Sequence, residues 1–184
     1  MDFIKTPMEG LMVLQPRVFK DNRGYFFEAY NQNTLKEAGI ECSFVQDNES
    51  FSCRGTVRGL HFQKPPFAQA KLVRVIQGTV YDVAVDLRAG SPTFGRWYGV
   101  ELSGENKKQF FIPGGFAHGF SVLSETALFC YKCDNFYSRA SEGGIYLYDR
   151  ELGIDWRIPA DKAVLSDKDR KNPSFAEYCM NKAF

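Results

Sequence analysis

Lys71-Leu72-Val73-Arg74-Val75-Ile76-Gln77-Gly78-Thr79-Val80-Tyr81-Asp82-Val83-Ala84-Val85-Asp86-Leu87 is the stretch that decides the fold class. Branched and aromatic residues fill both ends, and Gln77-Gly78-Thr79 between them has the glycine of a tight hairpin. The pattern predicts two strands, Lys71–Gln77 and Val80–Leu87. Residues two apart in a strand share a face, so Lys71 joins Val73 and Val75 while Arg74 points the other way. A lysine on an apolar face either snorkels at a rim or serves a ligand.

Outward from this hairpin the reading repeats. Strand-like runs occur at Leu11–Phe19, Tyr25–Tyr30, Ser43–Gln46, Val57–Gln63, Trp97–Leu102, Gln109–Ile112, Phe116–Leu123 and Ala127–Cys133. Asp21-Asn22-Arg23-Gly24 and Ser103-Gly104-Glu105-Asn106 carry turn chemistry. Only short helices are expected. One spans Thr34–Ala38, with Asn33 as cap and Gly39 closing it. Another follows Pro173, over Ser174–Tyr178. Many short strands between regular turns indicate an all-β sandwich or barrel. No alternation of strand and long helix, no GxGxxG and no Walker A loop marks a nucleotide-binding parallel sheet.

Composition narrows the function classes. At 184 residues and 44% apolar, the chain fits one domain with a true core, residues 1–184, burying about 70% of its unfolded surface. A net charge of +1 shows no basic excess for nucleic acid or an anionic membrane. Met1 to Gly10 carries Asp2, Lys5 and Glu9 and no apolar h-region, so no signal peptide is expected. No apolar run is long enough to span a bilayer as a helix. Five scattered cysteines argue against a disulfide framework and for a cytoplasmic location.

Strand parity then picks out candidate chemistry. His118 shares a face with Phe116, Phe120 and Val122; Tyr131 with Ala127, Phe129 and Cys133; His61 with Val57, Gly59 and Gln63. A lone histidine among such neighbours reads first as a satisfied core residue. Both histidines, however, lie beside glycines, in Arg58-Gly59-Leu60-His61 and Gly114-Gly115-Phe116-Ala117-His118-Gly119. A strand glycine marks a close backbone approach or a bulge. Arg58 and His61 have opposite parity, so reaching one ligand requires Gly59 to bend the strand, or sites on different subunits. Cys130-Tyr131-Lys132-Cys133 has CxxC spacing, but a strand separates the two sulfurs onto opposite faces, and no second pair completes a zinc site.

Specific segments occur in order: Asp21-Asn22-Arg23-Gly24-Tyr25-Phe26-Phe27-Glu28, Val45-Gln46-Asp47-Asn48, Arg58-Gly59-Leu60-His61-Phe62-Gln63, Gln69 to Val75, Tyr81 to Arg88, Ile112 to Phe120 and Leu165-Ser166-Asp167-Lys168-Asp169. Together, from about Phe3 to Asp169, they closely resemble the dTDP-4-dehydrorhamnose 3,5-epimerase family. The resemblance implies a cupin-like antiparallel β-barrel or jelly roll with short peripheral helices, working as a homodimer and without a cofactor. It implies His61 as general base, Asp169 as the carboxylate orienting it, Tyr131 as general acid and Lys71 beside the enolate oxygen. Arg23, Glu28, Gln46, Asn48, Arg58, His118, Glu142 and Lys168 match positions that bind the nucleotide sugar. Tyr137 matches the one that stacks on thymine. Asp167 lies close enough to compete with Asp169 for the orienting role. The implied substrate is dTDP-4-dehydro-6-deoxy-D-glucose, epimerised at C3 and C5 in dTDP-L-rhamnose synthesis.

Three other readings stand beside this one. A narrower enzyme would epimerise C3 alone. A silent sugar-nucleotide-binding barrel would need no His61–Tyr131 pair. A metal-dependent cupin with three histidines and a carboxylate requires more histidines than the two present; a two-histidine, one-carboxylate site is arithmetically open, but no HxH or HxD/E pair seeds it, so no metal is expected.

Overall fold

A computed structural model describes residues 1–184. The strands are β1 (Asp2–Lys5), β2 (Met12–Gln15), β3 (Phe19–Asp21), β4 (Gly24–Phe26), β5 (Gln46–Cys53), β6 (Val57–Gln63), β7 (Lys71–Gln77), β8 (Thr79–Asp86), β9 (Trp97–Ser103), β10 (Gln109–Ile112), β11 (Phe116–Val122), β12 (Thr126–Cys133) and β13 (Glu142–Gly144). Three short helices join them: α1 (Gln32–Glu37), α2 (Asp167–Arg170) and α3 (Phe175–Met180).

A six-stranded sheet runs β1-β2-β10-β7-β12-β5 and a five-stranded sheet runs β13-β6-β11-β8-β9; β3 and β4 form a separate hairpin. Every ladder between named strands is antiparallel. The all-β, cupin-like reading is therefore what the chain adopts.

Between the sheets lies one core. Val73, Val75, Phe110 and Phe129 from the first sheet meet Ala84, Leu102, Phe116, Phe120 and Val122 from the second. The rings of Phe120 and Phe129 stack at 4.2 Å between centroids. Burying each contributes about 2–3 kcal/mol. Behind the second sheet, Tyr81, Val83 and Val85 pack on Ile145, Leu147, Trp156 and Tyr178 of the C-terminal segment. With both faces covered, β8 reads as an almost continuous apolar run.

The β7–β8 hairpin turns at Gly78, whose φ of +83° suits glycine. Gly59 on β6 also has positive φ, +132°, and a Cβ there would stand 2.6 Å from the Gly119 Cα. These two glycines let β6 and β11 approach closely. Between His118↔His61 and Phe120↔Arg58 the register shifts, so β6 carries an extra residue. That bulge resolves the parity conflict: Arg58 and His61 line the same cavity.

Several boundaries differ from expectation. Helix α1 begins at Gln32 rather than Thr34, because Asn31, not Asn33, caps it by accepting from the Asn33 N–H. The expected strand Ser43–Gln46 instead starts at Gln46 and runs to Cys53. Its sequence, Gln-Asp-Asn-Glu-Ser-Phe-Ser-Cys, lacks an apolar face because its inner side borders a polar cavity. Leu11–Phe19 divides at Pro16, and of the next expected run, Tyr25–Tyr30, only Tyr25 and Phe26 pair, in a strand that starts at Gly24. Helix α3 starts one residue after Ser174, which forms a capping box with Glu177.

Candidate active site

The inner faces of β5, β6, β7, β11 and β12, closed by α2, surround a cavity of about 580 Å³. His61, Lys71, Tyr131, Asp169, Asn48, Arg58, His118 and Lys168 all border it. An adjoining recess of about 110 Å³ adds Gln46, Tyr137 and Glu142 beside His61, Lys71 and Tyr131. Arg23 and Glu28 are not brought there. Arg23 pairs with Asp21 on the exposed β3–β4 hairpin, and Glu28 accepts from Asn31.

His61 places Nε2 2.6 Å from Asp169 Oδ1. The carboxylate is buried and fixed by helix α2, whose cap Ser166 accepts the Asp169 N–H through Oγ. Burial raises the Asp169 pKa, but the hydrogen bond and charge of His61 outweigh it and hold the group below the usual carboxylate value. A carboxylate accepts only, so Nε2 carries the hydrogen, and in the neutral imidazole that tautomer leaves the lone pair on Nδ1. Asp167 is exposed and makes no such contact.

Across the ladder from His61 stands His118. Its Nε2 lies 3.0 and 3.1 Å from the two oxygens of Asp82, a fully buried carboxylate on β8. Burial lowers the His118 pKa and raises that of Asp82, each partly opposed by the partner's charge. Burial likewise lowers the Lys71 pKa, against the pull of Cys133 and Asp82. No motif in the sequence singles out Asp82. Its signal was there: a carboxylate at inward parity between Val80 and Ala84.

Tyr131 faces the cavity from β12, its ring 6.0 Å from Lys71 Nζ. Burial pushes its pKa up. The phenol therefore stays protonated at neutral pH and is available as a donor. Arg58 donates through Nε to Ser52 Oγ at 3.1 Å. Lys168 pairs with Glu142, which also accepts from the Tyr137 hydroxyl at 3.2 Å. Burial opposes ionisation of Glu142, but Lys168 and Tyr137 bring its pKa down. Cys130 meets Glu49 on the outer face of β12 and Cys133 meets Asn48 on the inner face, so the CxxC pair is split. No group of three His, Cys, Asp or Glu side chains converges to ligate a metal.

Two antiparallel sheets around a polar cavity of titratable residues make a cupin-like barrel whose interior can host acid–base chemistry. Residues 5–177 match the family model described as dTDP-4-dehydrorhamnose 3,5-epimerase, and the chain belongs to that family. It is an isomerase of the dTDP-sugar epimerase class. The dTDP-4-dehydrorhamnose 3,5-epimerase of Pseudomonas aeruginosa is 55% identical over 94% of this chain and 95% of its own. The crystal structure of the Elizabethkingia anophelis enzyme of that name superposes with a TM-score of 0.94 at 53% identity, covering 100% of this chain and 99% of the other. ChmJ, a 3'-monoepimerase from Streptomyces bikiniensis solved in complex with dTDP-quinovose, gives 0.90 at 33% identity, covering 96% and 89%. No helix is long and apolar enough to cross a membrane.

Proposed function

We propose that this enzyme inverts C3 and C5 of dTDP-4-dehydro-6-deoxy-D-glucose without a cofactor, yielding dTDP-4-dehydro-L-rhamnose for dTDP-L-rhamnose synthesis. The C3 and C5 protons are acidic because the electrons left behind delocalise onto the C4 oxygen. His61 Nδ1 takes the proton, its Nε2 hydrogen directed at Asp169. The developing enolate oxygen lies against Lys71, whose ammonium, set back among buried side chains, counts for more than it would in bulk water. Tyr131 returns a proton from the opposite face, so the carbon inverts. Exchange with solvent restores imidazole and phenol. A phenol is a weak acid in water but adequate against an enolate.

The observation that carries this reading is the placement of His61 and Tyr131 on strands of different sheets around one cavity, with Lys71 beside them. Arg58 and Lys168 would meet the diphosphate, with His118 backing the cavity wall through its bond to Asp82. Gln46, Asn48 and Glu142 would complete the nucleotide-sugar site, with Tyr137 stacking on thymine. Arg23 and Glu28 would act through a homodimer. Phe19, Tyr25 and Phe26 stand exposed on their hairpin, as a strand pair built to lie on a second copy would leave them. The free cysteines suit the reducing cytoplasm.

The test is incubation with the sugar nucleotide in D₂O, followed by NMR. Deuterium at both C3 and C5 supports the double epimerase. A C3-only reaction is the second reading, favoured by the likeness to a 3'-monoepimerase; it leaves C5 unlabelled. No label at either carbon rejects catalysis on this sugar.

A further inference from the structure

Gln63 is buried and has no part in the chemistry above, yet it borders the recess that holds His61 and Tyr137. It stands two residues beyond His61 on β6. Its Oε1 accepts a hydrogen bond from the Ser138 N–H at 2.9 Å. Neighbouring side chains grip the same turn, residues 134–138. Gln46 Oε1 accepts from the Tyr137 N–H at 3.0 Å, and Gln69 Nε2 donates to the Asn135 carbonyl at 2.7 Å. Asp134 Oδ1 accepts from the Ala70 N–H at 2.6 Å.

The turn needs such clamps because it has little apolar anchorage. Phe136 and Tyr137 are 62% and 52% exposed. Segments with few buried contacts open readily unless polar contacts order them. Of the three glutamines, Gln63 alone is buried, and it alone grips the residue after Tyr137.

We propose that Gln63 is a positioning residue for the nucleobase. It holds the Ser138 amide, and so fixes the Tyr137 ring in its stacking place at a set distance along β6 from His61. This rests on the reading of Tyr137 as the nucleobase platform. Without the clamp, the turn must be ordered when the ligand arrives, which weakens binding without altering the reacting groups.

Titration calorimetry with dTDP tests this on the wild type, Gln63→Met, Tyr137→Ala and the double variant. Gln63→Met is expected to weaken dTDP binding about tenfold, as loss of a buried hydrogen-bond acceptor does. KM for the sugar nucleotide should rise by a similar factor while kcat stays within about threefold. The double variant should bind no more weakly than Tyr137→Ala alone, since both changes remove one function. Unchanged affinity in Gln63→Met, with Tyr137→Ala weakened, overturns the clamp. So does an additive loss in the double variant. Unchanged affinity in Tyr137→Ala overturns the platform reading instead. Amide exchange in the wild type gives a check that needs no variant. The Ser138 N–H should exchange at least about tenfold more slowly than an unstructured amide, and exchange at the unstructured rate overturns the clamp.

Discussion

His61 and His118 face each other across β6 and β11, and each directs Nε2 to a carboxylate. Their surroundings separate them. The His61 side chain is 34% exposed, and its partner Asp169 comes from a helix that closes the cavity. The His118 side chain is 7% exposed, and Asp82 beneath it is sealed between the sheets. A base must reach its substrate and exchange protons with water, and the open pair can do both. The sealed pair is set to hold shape and charge: Asp82 opposes the loss of positive charge that burial imposes on Lys71. On the proposed mechanism, identical residue types take different roles because one histidine is open to the cavity and the other is not.

Replacing each histidine tests that division most severely. His61→Ala should lower kcat by about 10²–10⁴-fold, as loss of a positioned base does, with the denaturant midpoint nearly unchanged. Tyr131→Phe should do likewise. A variant of either kind with wild-type turnover would remove the role assigned to it. His118→Ala should act first on stability, by about 3–5 kcal/mol in urea unfolding, because it strands the buried Asp82 carboxylate. If His118→Ala is as stable as the wild type, the two pairs do not differ as argued.

A smaller effect separates the neighbouring carboxylates of α2. Asp169→Asn should lower kcat at least about tenfold by disturbing the His61 tautomer, whereas exposed Asp167→Asn should stay within about twofold. Equal effects from the two would dissolve the open pair.

Much of this site was legible in the sequence, and the exceptions have physical causes. Parity placed Lys71, His118 and Tyr131 on inward faces with Val73, Phe120 and Phe129, which do share the inner core, but it put His61 on one face with Val57, and the bulge turns Val57 into the core behind the second sheet. Arg58 was unreadable by parity, since a one-residue bulge at Gly59 is invisible to a period of two. Strand β5 was missed beyond Gln46 because strand signals rest on apolar residues, and a strand lining a polar cavity has few. Asp82 hid inside an apolar run, where the run itself drew the reading. Gln63 hid for a different reason: its partner is a backbone amide 75 residues away, and backbone donors leave no mark in a sequence.

The finest difference between the pairs is the sign of their response to acid. Both aspartates start from the ordinary value of 3.8. Asp169 falls below it in the folded protein, so its ionised form stabilises the fold at higher pH. That contribution drains away as pH drops below about 4, through the folded pKa. Asp82 rises above 3.8, chiefly through burial, so the folded state favours its protonated form. Its contribution is complete below about pH 4 and is lost as pH climbs through the folded value. Urea unfolding from pH 7 down to pH 3 should therefore move the two variants in opposite directions. The stability deficit of Asp169→Asn relative to wild type should shrink on acidification, most of the change coming below about pH 4. The deficit of Asp82→Asn should grow as pH falls toward 4, because only the wild type gains from protonating that buried carboxyl. Parallel curves for the two variants would show that burial does not set the pairs apart, and the division between an open base and a sealed support would lose its electrostatic basis.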